Sequence, residues 1–149
     1  MSKTVLITGS STGFGRDTAE TLARAGHTVF ASMRNAQAQN REHAQALRKN
    51  GIEIVELDVS SDTSVERAVK EVLARTHRID VLVNNAGIAS AGVTEAFTPD
   101  QAKVVFNTNV VGLLRTSPPL VLPPLVLIYA DCHFRQRVQE FSVGTKGTG

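Results

Sequence analysis

Three stretches of this sequence carry residue types at spacings that could do chemistry. The first is Thr8-Gly9-Ser10-Ser11-Thr12-Gly13-Phe14-Gly15, set between the apolar run Val5-Leu6-Ile7 and a helical pattern. Glycines placed so can turn a chain tightly, admit a pyrophosphate against the backbone, and let a helix pack close to a strand. A helix that starts there adds free N–H groups and a positive partial charge. The chemistry would be phosphate binding, with a plain tight turn as the alternative. No Gly-Lys-Ser/Thr follows, which excludes a Walker A loop.

The second stretch centres on Asn109, within an apolar stripe of Ala102, Val105, Phe106 and Leu113. An amide aimed at a core must find hydrogen-bond partners. It is either a structural Asn bonded to the backbone of a neighbouring strand or a polar group of a site. The third is Tyr129 with His133 four residues on. A phenol with a pKa of about 10 needs a nearby cation to exchange protons at neutral pH. A mostly neutral histidine supplies that poorly. Asp131, Cys132 and His133 are consecutive, a poor geometry for one ion, so no metal site is expected.

The elements that must hold these residues alternate strand and helix as far as about residue 114. Val5-Leu6-Ile7 is a strand covered on both faces. Phe14, Thr18, Leu22 and Ala25 recur at helical spacing until Gly26. "TVFASM" is a second strand, residues 40–49 a polar helix ending near Asn50-Gly51, and "IEIVEL" a third strand near a sheet edge. In the next helix Thr63 and Glu66 fit a capping box, ahead of a stripe of Val65, Ala68, Val69, Val72 and Leu73. "IDVLV" is a fourth strand. Thr98-Pro99-Asp100-Gln101 then gives an N-cap, a first-turn proline and a capping-box Gln. Units in this order predict an α/β fold of Rossmann type: a doubly wound parallel sheet, truncated after the fourth strand and the helix that follows.

Composition bounds the rest. With 149 residues, 42% hydrophobic and 20% charged, the chain reads as one soluble globular domain. Sixteen basic against fourteen acidic residues leave a scattered +2, with no basic stripe to suggest nucleic acid. The single cysteine, Cys132, excludes an internal disulfide and fits a reducing compartment. "KTVLITG" is too short for the apolar part of a secretory signal, and Leu120–Ala130 is too short to span a bilayer. No membrane partner is expected, and the default location is the cytoplasm.

Thr8-Gly9-x-x-x-Gly13-x-Gly15 resembles the cofactor signature of the short-chain dehydrogenases/reductases. "LDVS" at 57–60, "NNAG" at 84–87 and "NTNVVG" at 107–112 strengthen the likeness. Cofactor contacts through Gly9, Ser11, Thr12, Gly13, Phe14 and Gly15 are what the resemblance implies. It also implies an adenine contact for Asp58 and Val59, and a cleft lined by Asn85, Ala86 and Gly87. Asp58 can otherwise be read as a turn residue before "SSD". The end of the second strand offers Ser32-Met33-Arg34 and no acid for a ribose 2′-OH. Arg34 has the charge and fork for a 2′-phosphate, so NADP(H) is favoured over NAD(H), unless Arg34 is only a solvated loop charge.

In such a family Asn109 would belong to a catalytic tetrad, holding a water beside a Ser, a Tyr and the Lys of Tyr-x-x-x-Lys. No Tyr-x-x-x-Lys occurs in this sequence, and Ala130-Asp131-Cys132 stands where serines would be expected. "PPLVL" occurs twice, at 118–122 and 123–127, and prolines forbid helix interior and central strand alike, although "LVLIYA" could still pair. The expected organisation is therefore an NAD(P)-binding domain at 1–116 and a proline-rich tail at 117–149. A reading-frame slip or a cut-short gene model would produce so abrupt a change. The readings in competition are an oxidoreductase moving hydride between nicotinamide and a carbonyl or alcohol, a dinucleotide-binding module without turnover, and an interaction module. The apolar 99–114 helix points to a homo-oligomer.

Overall fold

The computed structural model describes residues 1–89 and 98–117, together with the backbone of 126–129. In chain order the elements are β1 (Thr4–Ile7), α1 (Gly13–Arg24), β2 (Thr28–Met33), α2 (Arg41–Lys49), β3 (Glu53–Glu56), α3 (Asp62–Thr76) and β4 (Val81–Asn84). Then come α4 (Pro99–Phe106), a π-helical turn (Asn107–Val111), α5 (Gly112–Thr116) and β5 (Val126–Tyr129).

The strands form one parallel sheet in the order β3-β2-β1-β4-β5. Strand alternation divides the core in two. Val5, Ile7, Val29, Ala31, Val81 and Val83 face one way, onto Ala19, Ala44 and Leu47 of α1 and α2. Leu6, Phe30, Val55 and Leu82 face the other, onto Val65, Ala68, Val69 and Val72 of α3. Both faces of the central strands are therefore covered, which is why their sequences read as unbroken apolar runs. The wetter β3 pairs only with β2 and lies at the edge, as its alternating Glu53 and Glu56 imply. From β3 the chain crosses to the far side of β1 to form β4. The ends of β1 and β4 are thus the topological switch point, the place where open α/β sheets hold ligands.

The doubly wound parallel sheet predicted from the alternation is present, and it extends one strand past the four anticipated. Val126–Tyr129, within the "LVLIYA" that could still pair, adds to β4 with Val81 opposite Val126 and Asn84 opposite Tyr129. Four local expectations are corrected. Phe14 is not on the buried stripe of α1 but 76% exposed. The helix buries Gly15 and Ala19, and neighbouring residues point about 100° apart. The cap of α3 is Ser61, whose hydroxyl accepts from Ser64 N at 3.3 Å, and not Thr63, because the extended residue before the helix is Ser61. Phe106 is likewise outside, at 59% exposed, beside a half-buried Val105. The single helix expected over 99–114 is interrupted by the π-helical turn, which shifts the phase of everything after it. The capping box at Thr98 and Gln101 is as expected.

Candidate functional site

The C-terminal ends of the strands open onto a cleft of about 320 Å³. Its walls include Gly9, Ser11, Thr12, Gly13, Phe14, Arg34, Asp58, Val59, Asn85, Ala86 and Gly87, so all the expected site residues except Gly15 and Asn109 line it. Met33, Asn40, Leu57, Ile88 and Thr108 line it too. Sequence reasoning missed these five. Ile88 and Thr108 sit beside or inside quoted motifs, whereas Asn40 carried no signal.

The glycine turn is held by neighbours from β4. Thr8 Oγ1 accepts from the N–H of Asn85 at 3.0 Å and of Ala86 at 2.9 Å, and Thr8 N donates to Val83 O at 3.0 Å. The Asn85 amide nitrogen donates to the carbonyls of Thr8 (3.0 Å) and Gly9 (2.9 Å). Ser10 N donates to Ser32 O at 2.8 Å, tying the turn to β2. Gly9 has a φ of 67°, and a Cβ there would lie 2.7 Å from Ala86 Cα. A Cβ on Gly15 would overlap the Asn85 amide and come within 2.5 Å of Gly9 O. Gly9 and Gly15 therefore let backbone meet backbone, and Gly15 acts from behind the cleft wall. Thr12 is the N-cap of α1, makes no side-chain capping bond, and no acid occupies the first turn. Helix N-terminus and glycine backbone give the donor set an anion needs, so these residues fit the diphosphate of a dinucleotide, and Arg34 adds a cation to the same cleft.

Asp58 follows β3. Its Oδ1 accepts from Ser60 N at 2.9 Å and from the Ser60 hydroxyl at 2.6 Å. Partial burial pushes the carboxyl up. The two Ser60 donors, with the charges of Arg34 and Arg115, outweigh that and hold it below the ordinary carboxylate value. Asp58 is thus ionised at neutral pH, a fixed acceptor at the cleft. Arg115 of α5 reaches across, donating through Nε to Asp62 at 2.8 Å and through Nη1 to Val59 O at 3.3 Å. Gly112 packs so tightly on Val59 that a Cβ there would lie 2.8 Å from its methyl. Thr116, which is buried, donates to Asn84 Oδ1 at 2.6 Å. Together these dock α5 against β4 and the β3–α3 loop.

Asn109 lies in the π-helical turn. Its Oδ1 accepts from Ile88 N and its Nδ2 donates to Ile88 O, each at 2.9 Å. Both bonds go to the backbone of the loop after β4, and they fix Ile88 in the cleft wall. Among the described residues one amide hydrogen is left over. Most of the 88–98 loop, Phe97 included, lies outside the described residues, as do the Asp131-Cys132-His133 run and His133 as a partner for Tyr129. Among the described residues no helix is long and apolar enough to cross a membrane.

The sequence profile described as short chain dehydrogenase matches residues 3–126, past the expected boundary at Thr116. The chain is 34% identical over 110 residues to a 3-ketodihydrosphingosine reductase of Bacteroides thetaiotaomicron, covering 74% of this chain and 38% of that protein. It is 38% identical over 121 residues to an acetoacetyl-CoA reductase of Shinella zoogloeoides, covering 80% of this chain and 48% of the other. Among solved structures, a variant of actinorhodin polyketide ketoreductase with NADPH superposes with a TM-score of 0.69 at 33% identity. That alignment covers 77% of this chain and 44% of that one. The chain therefore spans less than half the length of each of these relatives.

Proposed function

We propose a function from one premise: the chain belongs to the short-chain dehydrogenase family. Its cleft is a nicotinamide-dinucleotide site that favours NADP(H), serving an oxidoreductase that interconverts a carbonyl and an alcohol. The carrying observation is that one cleft gathers the glycine turn, the start of α1, Arg34 and Asp58, with no acid at the end of β2. The NADPH held by the ketoreductase relative supports the choice of coenzyme. A nicotinamide dinucleotide supplies the hydride when bound. In the proposal Gly9, Ser11, Thr12, Gly13 and Phe14 take the diphosphate end, backed by Gly15, and Arg34 takes the 2′-phosphate. Asp58 and Val59 take the adenine, and Asn85, Ala86 and Gly87 form the wall beside the nicotinamide. Asn109 uses its remaining amide hydrogen to hold a water near Ile88.

A small carbonyl compound is the proposed substrate class, in line with the reductase names of the relatives. The sequence contains no Tyr-x-x-x-Lys, so the chain as written is proposed to bind coenzyme without efficient turnover. The exposed Phe106, Val110 and Leu114, spaced four apart, support self-association along α4–α5. A cytoplasmic setting fits the lone cysteine.

Fluorescence titration with NADPH beside NADH tests the coenzyme reading. NADPH should bind more tightly. Arg34→Ala should weaken NADPH by about tenfold, the worth of an exposed charge-assisted contact, and leave NADH nearly untouched. A protein that ignores both coenzymes refutes the proposal, and steady reduction of a ketone panel refutes its claim of poor turnover.

A further inference from the structure

We infer that Asn40 is a positioning residue that sets the preference for a 2′-phosphate-bearing dinucleotide, by fixing the turn that presents Arg34. The inference rests on the coenzyme reading of the cleft. Between β2 and α2 the chain makes a short turn over residues 34–40, in which only Ala36 is buried. Asn35 adopts a left-handed φ of 48° and its carbonyl accepts from the N–H of Ala38 (3.0 Å) and of Asn40 (3.1 Å). The turn is closed at its other end by Asn40 Nδ2, which donates to Arg34 O at 2.7 Å.

That bond is an unusual use of the residue. Asn40 is the N-cap of α2, where an Asn side chain ordinarily accepts from the first helical turn, yet it makes no capping bond. Its amide is turned back on the preceding strand end instead, and only the NH₂ end can face a carbonyl oxygen. Arg34 and Asn40 both line the cleft. The Arg34 guanidinium makes no ion pair or hydrogen bond among the described residues, and the side chain is exposed. A long arginine, near enough to Asp58 for its charge to be felt but not hydrogen-bonded to it, must lose rotamer freedom to grip a phosphate. Pinning its backbone leaves those rotamers free but orders the turn in advance, and it fixes the direction in which the side chain leaves the sheet. Asn40 would then act on the coenzyme only through Arg34.

The test is a titration of NADPH and NADH into wild type, Asn40→Ala, Arg34→Ala and the double variant, with thermal melts alongside. Asn40→Ala should weaken NADPH by about fivefold, one ordinary hydrogen bond's worth, and move NADH by less than about twofold. In the Arg34→Ala background the same substitution should move NADPH by less than about twofold, because the residue it serves is gone. A merely structural role would lower both coenzymes together, or act undiminished without Arg34, and either result overturns the inference. A melting temperature that falls by more than about 8 °C also counts against it, since the loss would then be one of folding. Wild type that binds neither coenzyme, or prefers NADH, is a different failure. It overturns the coenzyme reading of the cleft, and the inference falls with it.

Discussion

At its C-terminal end the seam between β1 and β4 is closed by Thr8 and Asn85; at its N-terminal end the same two strands are closed by Asp80 and Arg78. Among the described residues the bonds of the upper closure join neutral groups: a hydroxyl accepts two N–H groups and an amide donates to two carbonyls. The lower one is ionic. Asp80 Oδ2 accepts from Thr4 N at 2.7 Å, Oδ1 accepts from Arg78 Nε at 2.8 Å, and Asp80 N donates to Thr4 O at 2.8 Å. Both arrangements solve one problem, the backbone groups left where a strand pair ends. Only the upper end borders the cleft. A carboxylate among its stitches would repel the phosphates proposed to lie there, so neutral donors and acceptors suit that end, while the lower end is free to use charge.

The sharpest way to break this comparison is Thr8→Val, which keeps the shape and deletes the hydroxyl. Two N–H groups, of Asn85 and Ala86, lose their acceptor beside a residue that is 1% exposed. Unpaired groups of this kind cost about 1–3 kcal/mol each when buried, so a total near 3 kcal/mol is expected. Urea denaturation should show that loss, and coenzyme titration should show the cleft spoiled with it, because Gly9 and Ala86 are held by the same stitches. A Thr8→Val protein of unchanged stability would mean that the upper closure is ornamental.

How much of this could be read from the chain follows the same division. Apolar runs and turn glycines announce strands that are covered on both faces, so the parallel sheet was legible, whereas its strand order and its fifth strand were not. The cleft was legible where a residue type has a mechanical job, as with Gly9 and Gly13, whereas Asn85 was marked only by the family resemblance. Phe14 was misread because a helical stripe tells which residues share a side, not which side is inside. Here the close approach of Gly15 settles that, by setting the α1 face against Asn85. Asn40 was invisible because its bond depends on a turn closing back on itself, and nothing in the spacing fixes that. The π-helical turn was hidden for a similar reason. Asn109 and Ile88 hold it through contacts made across the fold, and sequence periodicity assumes 3.6 residues per turn throughout.

The lower end gives a smaller effect with a pH signature. Arg78's hydrogen bond is the main influence holding the Asp80 carboxyl below its ordinary value; burial opposes it, and the N–H of Thr4 with the charges of Arg78 and Lys3 adds to the lowering. A depressed folded pKa contributes stability that is fully present above the unfolded value of about 3.9. It is lost as pH falls through the lower folded value. Asp80→Asn should therefore destabilise the protein by about 1 kcal/mol at pH 7, leave coenzyme affinity unchanged, and cost progressively less as the buffer is taken to pH 3 and below. Denaturation midpoints of the two proteins that stay equally far apart at both pH values would show that Asp80 acts by shape and not by charge.

Arg78→Gln sharpens the same point by asking which half of the lower closure matters. The Arg78 side chain is 68% exposed while Asp80's is 13% exposed, so water and salt screen the pair from one side. Removing the guanidinium leaves Thr4 N still donating to Asp80 Oδ2, and the seam keeps the hydrogen bond that closes it. An exposed ion pair is worth about 0.5 kcal/mol or less, and the loss should disappear in about 1 M salt. Urea midpoints at low and high salt would decide the matter. A loss as large as that of Asp80→Asn, surviving in high salt, would make the ion pair itself the closure. The contrast with the neutral upper end would then rest on charge strength and not on who satisfies the strand backbone.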